Sequence, residues 1–282
     1  MFDSGLAKRA SENLNAARMK KPLIHSITNY VVMNFTANAL LACGVSPVMA
    51  HAHEEVEEMV SLAGALVLNI GTLTPQVVES MLKAGKRAEQ LNIPIVLDPV
   101  GSGATKLRTD SAKRLLSELP IKIVRGNASE VMSLSSKGSK TKGVDAVHSV
   151  DEATDEGVAL AGELDTTIAI TGEVDLVTDG MRMLYGHNGH ALMRAVTGTG
   201  CAATALIGAF AVVDPDPVVA ASTALAYFGV AGETAAQSTQ APGSFQIALL
   251  DALYNMDARA LAEGTRIESS LRKRITRSRR RS

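Results

Sequence analysis

The sequence AVTGTGC at residues 195–201 runs directly into an apolar segment at 202–213. A Gly-x-Gly turn that opens a hydrophobic helix leaves the first backbone N–H groups of that helix without intrahelical partners, and the helix dipole adds partial positive charge there. This arrangement is typical of an anion site, most often for a phosphate or a developing oxyanion. A plain helix cap is the alternative interpretation, but it needs only one Gly, Ser or Thr.

On both sides of this turn, short apolar runs alternate with helical patterns. Strand followed by helix, repeated without a proline-rich linker, predicts βαβ units: an α/β fold of three layers, with a mainly parallel central sheet and helices on both faces. The runs at 65–70 and 93–97 are almost continuously aliphatic, which indicates strands buried on both faces. The predicted strands are 23–27, 65–70, 93–97, 121–124, 166–170, 176–178 and 181–184, and the predicted helices are 7–18, 31–42, 54–62, 75–91, 109–119, 128–134, 151–164, 199–212, 217–237 and 244–256.

We expect a single domain over residues 1–265 and a basic, disordered tail over 266–282, because Arg, Lys and Ser dominate the last residues. A surface loop is predicted at 135–142. Apolar residues make up 46% of the 282 residues and aromatic residues only 3%, so the core must be aliphatic and rich in alanine.

Charge and cysteine usage narrow the class of protein. A net charge of −1 gives no case for a nucleic-acid partner. The two cysteines, Cys43 and Cys201, lie far apart in the sequence, which fits a reducing cytoplasm better than a disulfide scaffold. No basic region followed by an apolar one opens the chain, so we expect no signal peptide. The apolar run at 202–213 is too short to span a bilayer, and no membrane association is expected.

Polar residues and glycines follow the C-terminal ends of the predicted strands. In open α/β sheets the ligand crevice lies outside these ends, so we expect these side chains to face one cleft. Asn127 and Glu130 also match a helix capping box, an interpretation that stays open beside the functional one. The converging residues are Asn29, Asp98, Arg125, Asn127, Glu130, Thr171 and the turn from Gly198 through Gly200 to Cys201.

These residue types favour phosphoryl transfer. An arginine and helix N–H groups hold phosphate oxygens, and two carboxylates, Asp98 and Glu130, hold Mg²⁺ directly or through water. The common nucleotide signatures are missing: there is no G-x-x-x-x-G-K-[ST], and GSGATK at 101–106 breaks G-x-G-x-x-G at its last position.

Two further features allow a functional and a structural interpretation. His51 and His53 stand where a helix is predicted to begin, and a role in that loop is favoured over a metal site. Cys201 stands at a helix N-terminus, where a thiol with a lowered pKa acts as a nucleophile or base. The alternative is a small residue that fills a tight space.

From about residue 25 to 256, the chain resembles the hydroxyethylthiazole kinase family of the ribokinase-like superfamily. The ITNYVV, NFTAN and SPVM motifs are specific to this family, whereas the DPV, N-x-x-E and G-x-G elements are shared across the superfamily. The matching segments are HSITNYVVMNFTANALLACGVSPVMAHAHEEV (25–56), LVLNIGTL (66–73), PIVLDPVGSGAT (94–105), VRGNASE (124–130), KGVDA (142–146), ITGEVDLVTDG (170–180), VTGTGC (196–201) and GSFQIALLDALY (243–254).

The resemblance implies ATP-dependent phosphorylation of the primary alcohol of 5-(2-hydroxyethyl)-4-methylthiazole, a thiamine-salvage step, by a cytoplasmic homotrimer with its sites between subunits. It also implies that Cys201 stands where the sugar kinases of the superfamily have an aspartate base, so catalysis leans on positioning and electrostatics. By position, the implied contacts are Met49, Gly198 and Asn29 for the thiazole, Arg125, Thr171 and Asn127 for ATP, and Asp98 and Glu130 for Mg²⁺.

Two departures from the family pattern are the stretch at 202–204 and the Arg-rich tail. Two other functions stay open at this point. One is a related kinase that acts on hydroxymethylpyrimidine, although the SPVM and ITNYVV motifs favour the thiazole. The other is a ligand-binding protein that kept the fold and lost the base.

Overall fold

The computed structural model describes residues 1–135 and 150–271. Most of the loop predicted at 135–142, the KGVDA segment and residues 272–282 lie outside these ranges. The described strands are β1 Leu23–Ile27, β2 Ser46–Val48, β3 Ala65–Asn69, β4 Ile95–Asp98, β5 Ile123–Gly126, β6 Thr167–Ile170, β7 Asp175–Thr178, β8 Arg182–Gly186 and β9 Ile267–Leu271.

The helices alternate with these strands. A 3-10 helix covers Ala191–Ala195. The α-helices are α1 Ser4–Lys20, α2 Met33–Cys43, α3 Val56–Ser61, α4 Pro75–Gln90, α5 Lys106–Glu118, α6 Ala128–Met132, α7 Val150–Leu164, α8 Thr199–Ala211, α9 Pro217–Ala236, α10 Pro242–Asn255 and α11 Ala258–Gly264.

All nine strands form one sheet in the order β2-β1-β3-β4-β5-β6-β7-β8-β9. Neighbours among β1 to β6 pair in parallel, and β6 to β9 pair antiparallel. The predicted mainly parallel sheet is therefore confirmed. The chain leaves β1 for the edge strand β2 and returns to the other side of β1 as β3. This reversal opens a crevice at the carboxyl ends of β1 and β3, where such folds bind ligands.

Alternate residues of each strand face opposite layers of helices, as the pleat requires. Val67 and Val96 belong to a buried cluster with residues of α1, α2, α8, α9 and α10. Leu66 and Leu97 belong to a second cluster with residues of α3 to α7. Burial on both faces explains the unbroken aliphatic runs of β3 and β4.

Helix α9 is the one helix in the described part of the chain that is long and apolar enough to cross a membrane by length and composition. Its 18-residue apolar window is 83% buried inside the fold. It packs on α8, α10 and α1 and touches the sheet, so core packing accounts for its apolar sequence.

The structure adds two strands that the sequence pattern does not reveal. Strand β9 pairs antiparallel with β8, so the expectation of a disordered tail from residue 266 is wrong for Ile267–Leu271. Its sequence IESSL shows little apolar character because it lies at the sheet edge, and Ile267 is its one buried hydrophobic residue among those whose side chains are described. Strand β2 has three residues and contains Pro47, which only an edge strand tolerates.

Candidate active site

The Gly198 turn opens α8 as an uncapped helix end. Gly198 has a φ of 89° and no side chain caps the helix. A Cβ at this position would lie 2.9 Å from Cγ1 of Val32, so both backbone conformation and space require glycine. The Thr199 hydroxyl donates backwards to the carbonyls of Met193 (3.0 Å) and Val196 (3.2 Å), away from the helix end. The first N–H groups of α8 are therefore left without a side-chain cap, as an anion site requires.

The guanidinium of Arg125 packs directly against this turn. A Cβ on Gly200 would lie only 2.5 Å from Nη1 of Arg125, so glycine here makes room for the cation. Nη2 of Arg125 donates to Oγ1 of Thr171. The buried Nε of Arg125 has no partner among the described residues. A fixed positive charge and a helix N-terminus therefore converge on one anion position.

Asp98, at the end of β4, is fully buried beside this position. Its Oδ2 accepts hydrogen bonds from Nδ2 of Asn69 and Oγ1 of Thr204, each at 2.8 Å, and lies 4.0 Å from Nη1 of Arg125. Its Oδ1 is buried and has no hydrogen-bond partner in the described part of the chain. Burial raises the pKa of Asp98 to about 6, although the charge of Arg125 opposes the shift.

A pair of buried amides spans the crevice between β1 and β3. Nδ2 of Asn29 donates to Oδ1 of Asn69 at 2.8 Å, and the same oxygen accepts from the backbone N–H of Gly71 at 3.0 Å. A Cβ on Gly71 would lie 2.5 Å from Nδ2 of Asn29, so this glycine allows the contact. Through Asn69, the position of Asn29 is coupled to that of Asp98.

The thiol of Cys201 lies at the end of this network, 3.6 Å from Nδ2 of Asn29. Burial and the neighbouring Asp98 carboxylate raise its pKa to about 12, despite opposing hydrogen bonds from the two asparagines. The hypothesis of a lowered pKa at this helix N-terminus is therefore wrong. With this raised pKa the thiol is mainly protonated at neutral pH, which disfavours a role as general base.

Asn127 and Glu130 form the capping box that the sequence predicts. The Asn127 side chain accepts from the N–H of Glu130 at 2.9 Å, and Oε2 of Glu130 accepts from the N–H of Asn127 at 2.9 Å. Oε1 of Glu130 accepts from the N–H of Gly101 at 2.8 Å. The structural interpretation thus holds. Both carboxylate oxygens accept hydrogen bonds from backbone N–H groups, which hold the side chain of Glu130 in place at the crevice.

A cavity of about 650 Å³ opens beside the anion position. Arg125, Asn127, Thr171 and Gly200 line it, together with the apolar side chains of Met193, Leu225 and Phe228. The three residues predicted to contact ATP therefore line the same cavity. Asn29, Asp98 and Cys201 are not among its lining residues.

For Met49, a predicted site residue, the structure records no contact with the network of Asn29, Asn69 and Asp98. It follows the edge strand β2, is half-buried and packs against the larger core cluster. Its carbonyl lies 3.0 Å from Nδ1 of His51, whose Nε2 accepts from the N–H of Thr28 at 3.0 Å. His51 therefore links the loop after β2 to the end of β1, as the loop interpretation expects.

The described residues contain no group of three or more His, Cys, Asp or Glu suited to a metal ion.

Three residues that hold the loops and side chains of this crevice in place are not among the site residues predicted from the sequence. Asn69 is the last residue of β3, so the strand-end pattern contains it, but nothing in the sequence distinguishes it from a turn residue. Thr204 lies in the 202–204 departure and donates to Asp98, which gives that stretch a role at the site. Arg108 on α5 donates to the carbonyls of Ile70 (3.0 Å), Val100 (2.7 Å) and Gly71 (2.6 Å), and so holds together the loops that follow β3 and β4.

Comparison with known proteins agrees with this geometry. A sequence model of the hydroxyethylthiazole kinase family matches residues 14–259. The hydroxyethylthiazole kinase of Desulfotalea psychrophila is 60% identical over 267 residues, which cover 95% of this chain and 98% of the relative. The chain therefore belongs to the hydroxyethylthiazole kinase family.

Solved structures support the fold. The structure of a hydroxyethylthiazole kinase protein from Pyrococcus horikoshii superposes with a TM-score of 0.87 at 44% identity, over 93% of this chain and 99% of the other. A pyridoxal kinase from Staphylococcus aureus, solved with AMP-PCP and pyridoxal, superposes at 0.61 with 14% identity, over 89% and 99%. This second likeness concerns the fold alone and confirms the predicted ribokinase-like architecture.

Proposed function

We propose that this chain transfers the γ-phosphoryl group of ATP to the primary alcohol of 5-(2-hydroxyethyl)-4-methylthiazole, in thiamine salvage in the cytoplasm. Family membership over nearly the whole chain supports this reaction. The observation that carries it is the contact between Arg125 and the uncapped N-terminus of α8. A Cβ on Gly200 would lie only 2.5 Å from Nη1 of Arg125. Such a site stabilises the charge of a phosphoryl group in flight.

ATP occupies the 650 Å³ cavity in this proposal. Arg125 and Thr171 hold phosphate oxygens, and Asn127 borders the same wall. The γ-phosphate then reaches the first turn of α8, where Gly198 and Gly200 leave their backbone N–H groups open to it.

Mg²⁺ fits the carboxylates of this crevice. Oδ1 of Asp98 is a buried oxygen without a hydrogen-bond partner, and a hard cation prefers such an oxygen ligand. Glu130 already accepts two backbone N–H groups, so we assign it a supporting role through water. When bound, Mg²⁺ offsets the negative charge that builds on the phosphates.

The thiazole lies on the other side of the transferring group, near Asn29, Met49 and Gly198. Asn29 is held by Asn69 and reaches the sulfur of Cys201, so these residues orient the alcohol. The neutral thiol of Cys201 contributes position and polarity rather than a base. Catalysis therefore rests on alignment and fixed charges.

We also propose a homotrimer with sites between subunits. Next to the buried Asn29, the side chains of Tyr30 and Val31 are 64% and 67% exposed, which a second copy would cover. Sedimentation equilibrium of the wild-type protein and of Val31→Asp tests this. A wild-type monomer would overturn the trimer, whereas a trimer that dissociates in the variant supports this interface.

A substrate panel tests the reaction itself. Purified protein is given ATP and Mg²⁺ with hydroxyethylthiazole, with hydroxymethylpyrimidine or with neither, and ADP formation is measured. We expect ADP only with the thiazole. Faster turnover of hydroxymethylpyrimidine would favour the related kinase, and no turnover of either compound would favour a ligand-binding protein.

A further inference from the structure

One wall of the nucleotide cavity is a stretch of chain that belongs to no strand. Residues 187–195, which we call the strap, leave β8, pass through the 3-10 helix and lead into the Gly198 turn. The strap supplies Asn188, Gly189, His190, Ala191, Met193 and Arg194 to the cavity lining. Its position therefore sets both the width of the cavity and the start of α8.

Glu233 on α9 holds the strap from behind. Its Oε1 accepts from the backbone N–H of Gly189 at 2.7 Å and from Nδ2 of Asn188 at 3.2 Å. One carboxylate oxygen thus fixes two consecutive residues of the cavity wall.

Arg266, just before β9, completes this arrangement. Its Nη1 and Nη2 donate to Oε2 and Oε1 of Glu233 at 3.0 and 2.6 Å, and Nη2 also donates to the carbonyl of His187 at 2.9 Å. Its backbone N–H donates to Oδ1 of Asn188 at 2.8 Å. The fork of Arg266 therefore orients the carboxylate and clamps the strap directly.

Helix α9 is shaped for this contact. A Cβ on Gly229 would lie 2.7 Å from the carbonyl carbon of Asn188, and one on Gly232 would lie 2.6 Å from Sδ of Met193. The strap thus lies flush on α9. Its backbone has no room to move inward, and the Glu233–Arg266 pair stops it from moving outward.

We propose that Glu233 and Arg266 are positioning residues for ATP. The inference rests on the proposed function in one respect, namely that the cavity is the nucleotide site. An isolated, partly exposed ion pair contributes little to stability. Here the side chains of Arg266 and Glu233 are 38% and 23% exposed, and the atoms that pair also bond the strap. The pair therefore sets the geometry of the wall.

The test compares Glu233→Gln and Arg266→Lys with the wild type. Gln keeps an acceptor for Gly189 but cannot accept the bidentate fork, and Lys keeps the charge but lacks the fork. We expect the KM for ATP, and the Kd for AMP-PCP with Mg²⁺ in calorimetry, to rise at least about five-fold in Glu233→Gln, because a charge-assisted contact is lost. Arg266→Lys should show a smaller rise. The KM for the thiazole should stay within about two-fold of wild type.

Glu263→Gln is the matched control, because Arg259 and Glu263 form an exposed ion pair on α11, with side chains 85% and 64% exposed. It should leave both KM values unchanged. Wild-type AMP-PCP affinity in Glu233→Gln would overturn the inference. So would an equal loss for both substrates together with a lowered Tm, since that indicates a purely structural pair. If the wild type binds AMP-PCP but does not phosphorylate the thiazole, the proposed function fails, and the AMP-PCP comparison still decides this inference.

Discussion

The two halves of the sheet border the same site but place their groups in different ways. In the parallel half, β1 to β6, strand ends deliver side chains that bond one another, as Asn29, Asn69 and Asp98 do. In the antiparallel half, β7 to β9, the cavity wall is mainly the strap, held from behind by Glu233 and Arg266. Changes at Asn29, Asn69 and Asp98 should therefore act mainly on the reacting groups, whereas changes to the strap and to the Glu233–Arg266 pair should act on ATP binding alone.

The largest expected effect is that of Asp98→Asn. The change removes the charge of a fully buried carboxylate whose Oδ1 has no hydrogen-bond partner among the described residues. We expect kcat to fall by at least about 100-fold, the usual cost of losing one preorganised electrostatic group. The KM for the thiazole should change by less than about three-fold, since Asp98 supports transfer rather than substrate binding.

Asp175→Asn is the matched change in the antiparallel half. Asp175 lines the cavity, burial raises its pKa to about 6, and its Oδ1 accepts from the N–H of Gly172 at 3.0 Å. Asparagine can keep that bond, so kcat should stay within about three-fold of wild type. Equal losses of kcat in the Asp98 and Asp175 variants would break the contrast between the halves.

Gly200→Ala should have the next largest effect. The added Cβ would lie 2.5 Å from Nη1 of Arg125, and the flexible end of that side chain must move aside. We expect kcat/KM for ATP to fall about ten-fold, as in Arg125→Lys, which loses the bidentate fork. The Tm should not fall, because alanine is the better helix former.

The double variant Gly200→Ala with Arg125→Lys sharpens this prediction. If both changes act through the guanidinium, their effects on kcat/KM should be far from additive. Additive losses would show that Gly200 acts on something other than Arg125.

Cys201→Ala should have a smaller effect. The pKa of the thiol is raised to about 12, so it carries no useful fraction of thiolate at neutral pH. We expect kcat to fall by less than about five-fold, with the loss due to altered packing next to Asn29. The pH profile of kcat from pH 6 to 9 should keep its shape. A profile that loses an ionisation in the variant would restore Cys201 as the base.

Strand-end reasoning predicts most of the parallel half of the site and little of the other half. Asn29, Asp98 and Arg125 are recognisable because each stands at or just after the C-terminal end of a buried aliphatic strand. Arg266 and Asn188 are not, because they are 78 residues apart and belong to segments without periodic character. Contacts of that kind depend on how β9 returns to the sheet edge, and IESSL gives little sign of a strand.

Burial depth is the other quantity that the sequence does not provide. A helix N-terminus lowers the pKa of a thiol, and that local rule suggested a reactive Cys201. The structure buries the thiol beside Asp98, and desolvation together with that carboxylate raises its pKa. Likewise, the 202–204 stretch departs from the family pattern, yet Thr204 holds Asp98.

The smallest expected effect concerns stability in the parallel half rather than activity. His25 on β1 is fully buried, and its Nε2 donates to the carbonyl of Ala50 at 2.8 Å, while Nδ1 has no partner. Burial lowers the pKa of His25, and His51 adds to this; the hydrogen bond to Ala50 and, more weakly, the charge of Glu55 oppose it. The imidazole therefore binds a proton less readily in the folded protein than in the unfolded chain, where it titrates near pH 6.5.

The sign of the effect follows from linkage. Well above pH 6.5 the imidazole is neutral in both states and His25 adds no pH dependence. Below pH 6.5 the unfolded chain binds the proton first, so stability is lost as the pH falls, by up to about 1.4 kcal/mol per pH unit, until the folded-state pKa is reached. Asp98 and Asp175 contribute in the opposite direction, because their raised pKa values favour protonation of the folded state.

The comparison of wild type with His25→Gln isolates the histidine from those carboxylates. Gln can donate to the Ala50 carbonyl but does not titrate. Urea unfolding at pH 7.5, 6 and 5 gives the free energy of unfolding of each protein. We expect the wild type to lose stability relative to His25→Gln between pH 6 and 5, because only its unfolded chain gains a proton at residue 25. A constant difference between the two proteins across this range would show that His25 is protonated to the same extent in both states, and that burial at the start of the parallel half does not control its charge.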